Sequence, residues 1–146
     1  MNLYWEVLIF VFLIFWAAED IRTGMVGWPM MIVLGVMGGA VRLLTGQADP
    51  LQLMSGMIPG LFLVPLSCAG GRYIGGGDAL GFLVCGTYIG FAGAFELMLL
   101  SFTMAGIWGV FLLKIRRKSR NTGFPLFPFI LAAQGMRLLL MFTRNI

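Results

Sequence analysis

The sequence predicts an all-α integral membrane protein, a bundle of about six transmembrane helices, and three observations carry that expectation. Of the 146 residues, 60% are hydrophobic and only 11% are charged, a balance that does not fit a water-soluble domain. The apolar residues fall into six runs separated by short polar stretches, and most runs approach the roughly 20 residues an α-helix needs to cross a bilayer. The ten basic residues are also unevenly spread, in a way that alternating spans explain.

The first run extends from about Leu3 to Ala18 and is followed by the polar stretch Glu19-Asp20-Ile21-Arg22-Thr23-Gly24. It lacks a basic leader and a small-residue cleavage site, so it is expected to be retained and not removed as a signal peptide. The second run, about Trp28 to Leu44, carries Gly35, Gly38 and Gly39, which suit close helix packing, and ends at the turn sequence Thr45-Gly46-Gln47-Ala48-Asp49-Pro50. The third, about Leu51 to Ala69, contains Pro59 and Pro65, where kinks are expected. The fourth follows Asp78 and reaches about Phe91, which is short for a full span. The fifth and sixth run from about Phe95 to Leu113 and from about Phe124 to Phe142. No repeat, heptad or soluble region divides the chain, so residues 1–146 are expected to form a single transmembrane domain.

Lys114, Arg116, Arg117, Lys118 and Arg120 lie together between the fifth and sixth runs, and basic loops of this kind stay in the cytoplasm. Counting back through alternating spans places Arg72 and Arg22 on the same side, which puts seven of the ten basic residues inside and both termini outside. The predicted location is the cytoplasmic (inner) membrane. The basic stretch reads as a topology anchor in contact with anionic lipid, not as a nucleic-acid site. On the outer side Arg42 and Arg137 share a depth with Glu6, Asp49 and Glu96, where pairing or snorkelling is expected.

The chain has no histidine, and its two cysteines, Cys68 and Cys85, sit inside apolar runs without CxxC spacing. This composition argues against zinc, haem and histidine acid–base chemistry, so no metal or cofactor is expected and the thiols read as small core residues. Two acids remain. Asp78 closes the glycine-rich stretch Gly70-Gly71-Arg72-Tyr73-Ile74-Gly75-Gly76-Gly77, which is expected to be a loop, and Asp20 ends the first run. Topology brings them to one depth at the cytoplasmic surface. A helix cap is the ordinary use of an acid behind glycines. Two neighbouring carboxylates, however, cannot both ionise cheaply: one keeps a proton while the other activates a water, the chemistry of an aspartyl hydrolase. A cation or proton pathway in a small transporter would use the same pair, and a non-enzymatic subunit of a secretion or pilus assembly is a further alternative.

Gly75-Gly76-Gly77-Asp78 fits the GxGD signature of membrane aspartyl proteases, and the chain resembles a short prepilin peptidase, the family that trims type IV pilin-like precursors. Asp20-Ile21-Arg22 resembles the family's first catalytic Asp with Arg two residues on. Gly86 and Gly90 stand where the segment behind the second Asp carries glycines, and Pro125-Leu126-Phe127-Pro128-Phe129 resembles its PxxPF stretch. The chain departs from the pattern at Gly27, in Val26-Gly27-Trp28-Pro29, and at Leu80, where the family often has Ile-Pro and Lys.

The resemblance implies an aspartic-type endopeptidase that needs no cofactor. Asp20 and Asp78 are its expected catalytic residues, Gly75, Gly76 and Gly77 shape the active-site loop, and Glu19, Arg22, Pro125 and Pro128 are candidates for contact with substrate. It also implies a pilin-like precursor as the protein partner, cleaved after a short basic leader at the cytoplasmic face. Larger family members add a region with paired cysteines associated with N-methylation, and this chain resembles the short, peptidase-only members. The sequence does not indicate an oligomeric state.

Overall fold

The computed structural model describes residues 3–23, 27–70, 75–116 and 126–144. They form five α-helices, α1 (Leu3–Thr23), α2 (Trp28–Leu44), α3 (Pro50–Gly70), α4 (Gly76–Arg116) and α5 (Phe127–Arg144). Two are long and apolar enough to cross a membrane, over Pro50–Cys68 and Gly76–Phe111, while Trp28–Leu44 and Phe127–Thr143 are apolar but shorter.

The fourth and fifth expected runs are both contained in α4, which is not straight. Gly90 leaves the helical region at φ 74°, ψ −180°, a conformation essentially confined to glycine. Phe82 and Phe102 then stack with ring centroids 5.8 Å apart. On a continuous helix twenty residues of separation would hold them about 30 Å apart, so the chain reverses at Gly90 and the two arms, residues 76–89 and 91–116, lie against each other. The first arm is about 21 Å long, short of the roughly 30 Å hydrocarbon core.

That first arm is the centre of the molecule. Ala79, Phe82, Val84, Cys85, Tyr88 and Ile89 are all buried, and every neighbouring element approaches it closely. Gly35 and Gly38 of α2 make room for Val84 and Tyr88, Gly56 of α3 sits backbone to backbone with Gly86, and Gly60 adjoins Leu83. Small residues at such crossings let backbones meet without intervening side chains. The ring of Phe127 on α5 fills the space over Gly81. On α1 the buried residues Glu6, Ile9, Leu13, Trp16, Ala17 and Asp20 recur at helical spacing, forming one inward stripe with an acid at each end.

Several details differ from the sequence-based expectation. The helix α1 continues past Ala18 through Asp20 and Arg22, so Asp20 stands on a helical turn and not in a connection. Gly76 and Gly77 are likewise the first residues of α4, not loop. Cys85 is buried as expected, whereas Cys68 is exposed. Arg72, Pro125 and the basic residues Arg117, Lys118 and Arg120 lie outside the described residues.

Glu6, Gln134 and Arg137 satisfy one another at the end of the bundle that holds Gly90. Arg137 donates to Glu6 (Nη1 to Oε2, 3.1 Å), to Glu96 (Nε to Oε2, 3.0 Å) and to Gln134 (2.9 Å), and Gln134 Nε2 donates to Glu6 Oε2 at 2.6 Å. These bonds tie α1, the second arm of α4 and α5 together. Arg42, by contrast, caps the first arm. Its Nη1 donates to the carbonyls of Thr87 (2.7 Å) and Tyr88 (2.9 Å), which the break at Gly90 leaves without helical partners.

Candidate active site

Asp20 is carried on the last turn of α1, on the inward stripe and only 8% exposed. Its Oδ2 accepts the backbone N–H of Phe127 at 3.3 Å, one of the donors that the start of α5 cannot satisfy within the helix. The bond pins the end of α1 to the start of α5, and Trp16, one turn before Asp20, packs edge-on against the Phe127 ring at 6.1 Å.

Asp78 lies three residues into α4 and turns back to the residue preceding it. Its Oδ2 accepts the N–H of Gly75 at 3.1 Å, the reciprocal half of a capping box. The capping use of this acid is therefore real, but it occupies one oxygen. Among the described residues neither Asp20 nor Asp78 has a hydrogen bond to Oδ1.

Electrostatics link the two acids. Asp20 follows the apolar run of α1, and Asp78 stands in the first turn of α4, at the edge of its apolar run. Burial raises the pKa of Asp20, and the Phe127 N–H opposes that rise. Asp78 is pushed up to about 6, first by burial, with the Gly75 N–H acting against it and the charge of Asp20 adding to it. Asp78 thus keeps its proton into the mildly acidic range, chiefly because it is buried, with the charge of Asp20 as a smaller contribution.

The other sequence candidates are arranged around this pair. Gly75 is exposed, and a Cβ added to it would meet Asp78 Oδ2 at 3.1 Å. Among the described residues, a Cβ at Gly76 or Gly77 would meet nothing within 4 Å. Pro128 is half-buried in the first turn of α5 beside Phe127, and Pro125 lies outside the described residues. Glu19 is exposed, and its Oε2 accepts the N–H of Gly27 at 3.4 Å, so it helps join α1 to α2. Arg22 is also exposed. Among the described residues no third His, Cys, Asp or Glu joins the two acids in a metal-binding group.

Three participants were not singled out from the sequence: the Phe127 N–H, Trp16 and Gly81. Trp16 lies four residues before Asp20 and Gly81 three after Asp78, so helical spacing from each acid would have found both. The Phe127 N–H is a backbone group that residue type does not reveal. No protein-family model matches the chain, and neither does any curated protein or solved structure.

Proposed function

We propose that this chain is a membrane aspartyl endopeptidase that removes the short basic leader of pilin-like precursors at the cytoplasmic membrane face, as its resemblance to the short prepilin peptidases implies. The observation that carries the reading is the convergence of two acids 58 positions apart in sequence, Asp20 on the last turn of α1 and Asp78 on the first turn of α4, near enough that the charge of Asp20 adds to the rise in the Asp78 pKa. In this mechanism the ionised carboxylate takes a proton from water as its oxygen bonds to the scissile carbonyl carbon, and the protonated partner hydrogen-bonds the carbonyl oxygen as charge develops there. The C–N bond then breaks, with the proton passed to the leaving amine. The lack of a side chain at Gly76 and Gly77 suits the approach of an extended substrate backbone.

Membrane embedding in six segments is supported by the reversal at Gly90, which divides α4 into two rods, and by large apolar side chains exposed on the outer faces. Phe15, Val36, Phe62 and Leu139 each expose more than 60% of their surface, as apolar side chains facing lipid would.

Purified protein incubated with a synthetic precursor, a short basic leader followed by an apolar helix, is expected to yield one cleaved product by mass spectrometry. Asp20→Asn and Asp78→Asn should each reduce cleavage by at least about a hundredfold. The amide oxygen of Asn can still accept from Phe127 or Gly75, so both variants should fold. Near-normal turnover in either variant would remove that acid from the mechanism.

A further inference from the structure

At the end of the bundle opposite the two aspartates, a cleft of about 490 Å³ opens between the start of α1, the end of α2, the start of α3 and the reversal of α4. Its lining includes Trp5, Arg42, Gln47, Gln52, Ser55 and Tyr88. Arg42 is the feature that its packing does not account for. Its Nη1 caps the Thr87 and Tyr88 carbonyls, but Nε is buried and has no hydrogen-bond partner among the described residues. A guanidinium N–H withdrawn from water without an acceptor is costly, and Arg42 lines the cleft, where an oxyanion can pair with its charge.

We infer that this cleft is a phosphate-binding site, with Arg42 as the charged donor and the Gln52 amide as a neutral one, beside Ser55, whose hydroxyl donates to the Gln52 carbonyl. Glu6 also lines the cleft, but it is engaged by Arg137 and Gln134, and both members of the Glu6–Arg137 pair are 1% exposed, so its charge is offset locally. Arg42 is left as the cleft's uncompensated cation. The phosphate can belong to a lipid headgroup or to a soluble ester. Trp5, whose ring lies 5.9 Å from the Arg42 guanidinium carbon, and Tyr88 give the cleft the amphipathic aromatic wall found at headgroup depth. The site is independent of the cleavage reading, since it lies at the other end of the molecule and uses none of the same side chains.

The test uses the full chain in a neutral detergent, with phosphatidylglycerol, phosphatidylcholine and inorganic phosphate as probes. Native mass spectrometry is expected to show phosphatidylglycerol retained over phosphatidylcholine, and Ser55→Trp, which fills the cleft while leaving Arg42 in place, should weaken retention about tenfold. Arg42→Gln should do the same. Because it also uncaps the first arm of α4, Ser55→Trp decides the matter if Arg42→Gln fails to fold. A phosphate-dependent rise in Tm that Ser55→Trp abolishes, without any lipid preference, would support the same site and identify a soluble phosphate as its ligand. Binding by Ser55→Trp equal to that of the unaltered protein, or no binding of either probe, overturns the inference.

Discussion

Asp78 does two things at once, and the two can be separated by experiment. One oxygen caps the start of α4 through Gly75, while burial and the neighbouring charge of Asp20 lift its pKa to about 6. The folded protein therefore holds this proton up to about pH 6, whereas the unfolded chain releases it near 3.8. Protonation favours the folded state, and that stability is lost as pH rises from about 4 through about 6. Thermal melts across this interval should show the unaltered protein losing Tm with rising pH, and Asp78→Asn, which cannot ionise, losing less. If this proton is needed for catalysis, cleavage also falls as pH rises above about 6; a rate that climbed from pH 6 to 8 would contradict the dyad. The glycines before Asp78 make a sharper distinction. Neither Gly76 nor Gly77 has a positive φ, and among the described residues neither has a neighbour that a Cβ would strike, so packing against those residues does not require glycine at either position. Gly77→Ala should melt no lower than the unaltered protein, and up to about 1 kcal/mol of added stability is expected from the better helix former. Its kcat/KM should nevertheless fall by about tenfold or more if substrate backbone passes there. Unchanged turnover would mean that the substrate approaches from another side.

Glycine has a different purpose within α4, where two positions are dictated by the fold. Gly86 meets the Gly56 backbone, where a Cβ would collide with the Gly56 carbonyl, and Gly90 holds the positive φ that reverses the chain. Gly90→Ala meets no steric neighbour, so its cost is conformational, about 1–3 kcal/mol for a non-glycine residue in that region. Denaturant unfolding should report a loss of that size, and an unchanged midpoint would mean that the reversal is not held at Gly90. The resemblance to the prepilin peptidases marked Gly86 and Gly90, but the sequence alone could not divide their tasks, because a packing glycine and a turning glycine look alike in an apolar run. The ends of α2 and the start of α3 were legible for a physical reason: Thr45-Gly46-Gln47 and Asp49-Pro50 are strong turn chemistry, and the structure turns there, with Gly46 at φ 66°. The end of α1 was not, since Glu19 to Thr23 is polar yet helical, its Thr23 hydroxyl donating to the Glu19 carbonyl at 2.9 Å. The pairing of Arg137 with Glu6 and Glu96 followed from shared depth. Arg42 at the same depth instead found carbonyls freed by a reversal that polarity could not reveal.

At the scale of the whole molecule, the reversal at Gly90 also decides which groups share an end of the bundle. The first arm of α4 begins beside Asp20 and runs toward Glu6 and Arg42, and the second arm returns, bringing exposed Lys114 back toward the end that holds Asp20 and Asp78. Lys114, where the basic stretch of the sequence begins, and the two acids thus lie toward one end of the bundle. If that stretch stays in the cytoplasm, as short basic loops do, the acids face the cytoplasm too, where a newly made precursor presents its leader. Cysteine labelling tests this directly. Exposed Cys68 is first replaced by Ser to remove its background, while Cys85 is buried. A cysteine at Ser119, within the basic stretch, should then react with a membrane-impermeant reagent only after the cytoplasmic face is opened. One at exposed Thr45, beside the turn between α2 and α3, should react in intact cells. The reverse pattern would place Asp20 and Asp78 outside the cell, beyond the reach of a cytoplasmic leader, and the proposed cleavage would fall even if both carboxylates proved essential to some other activity.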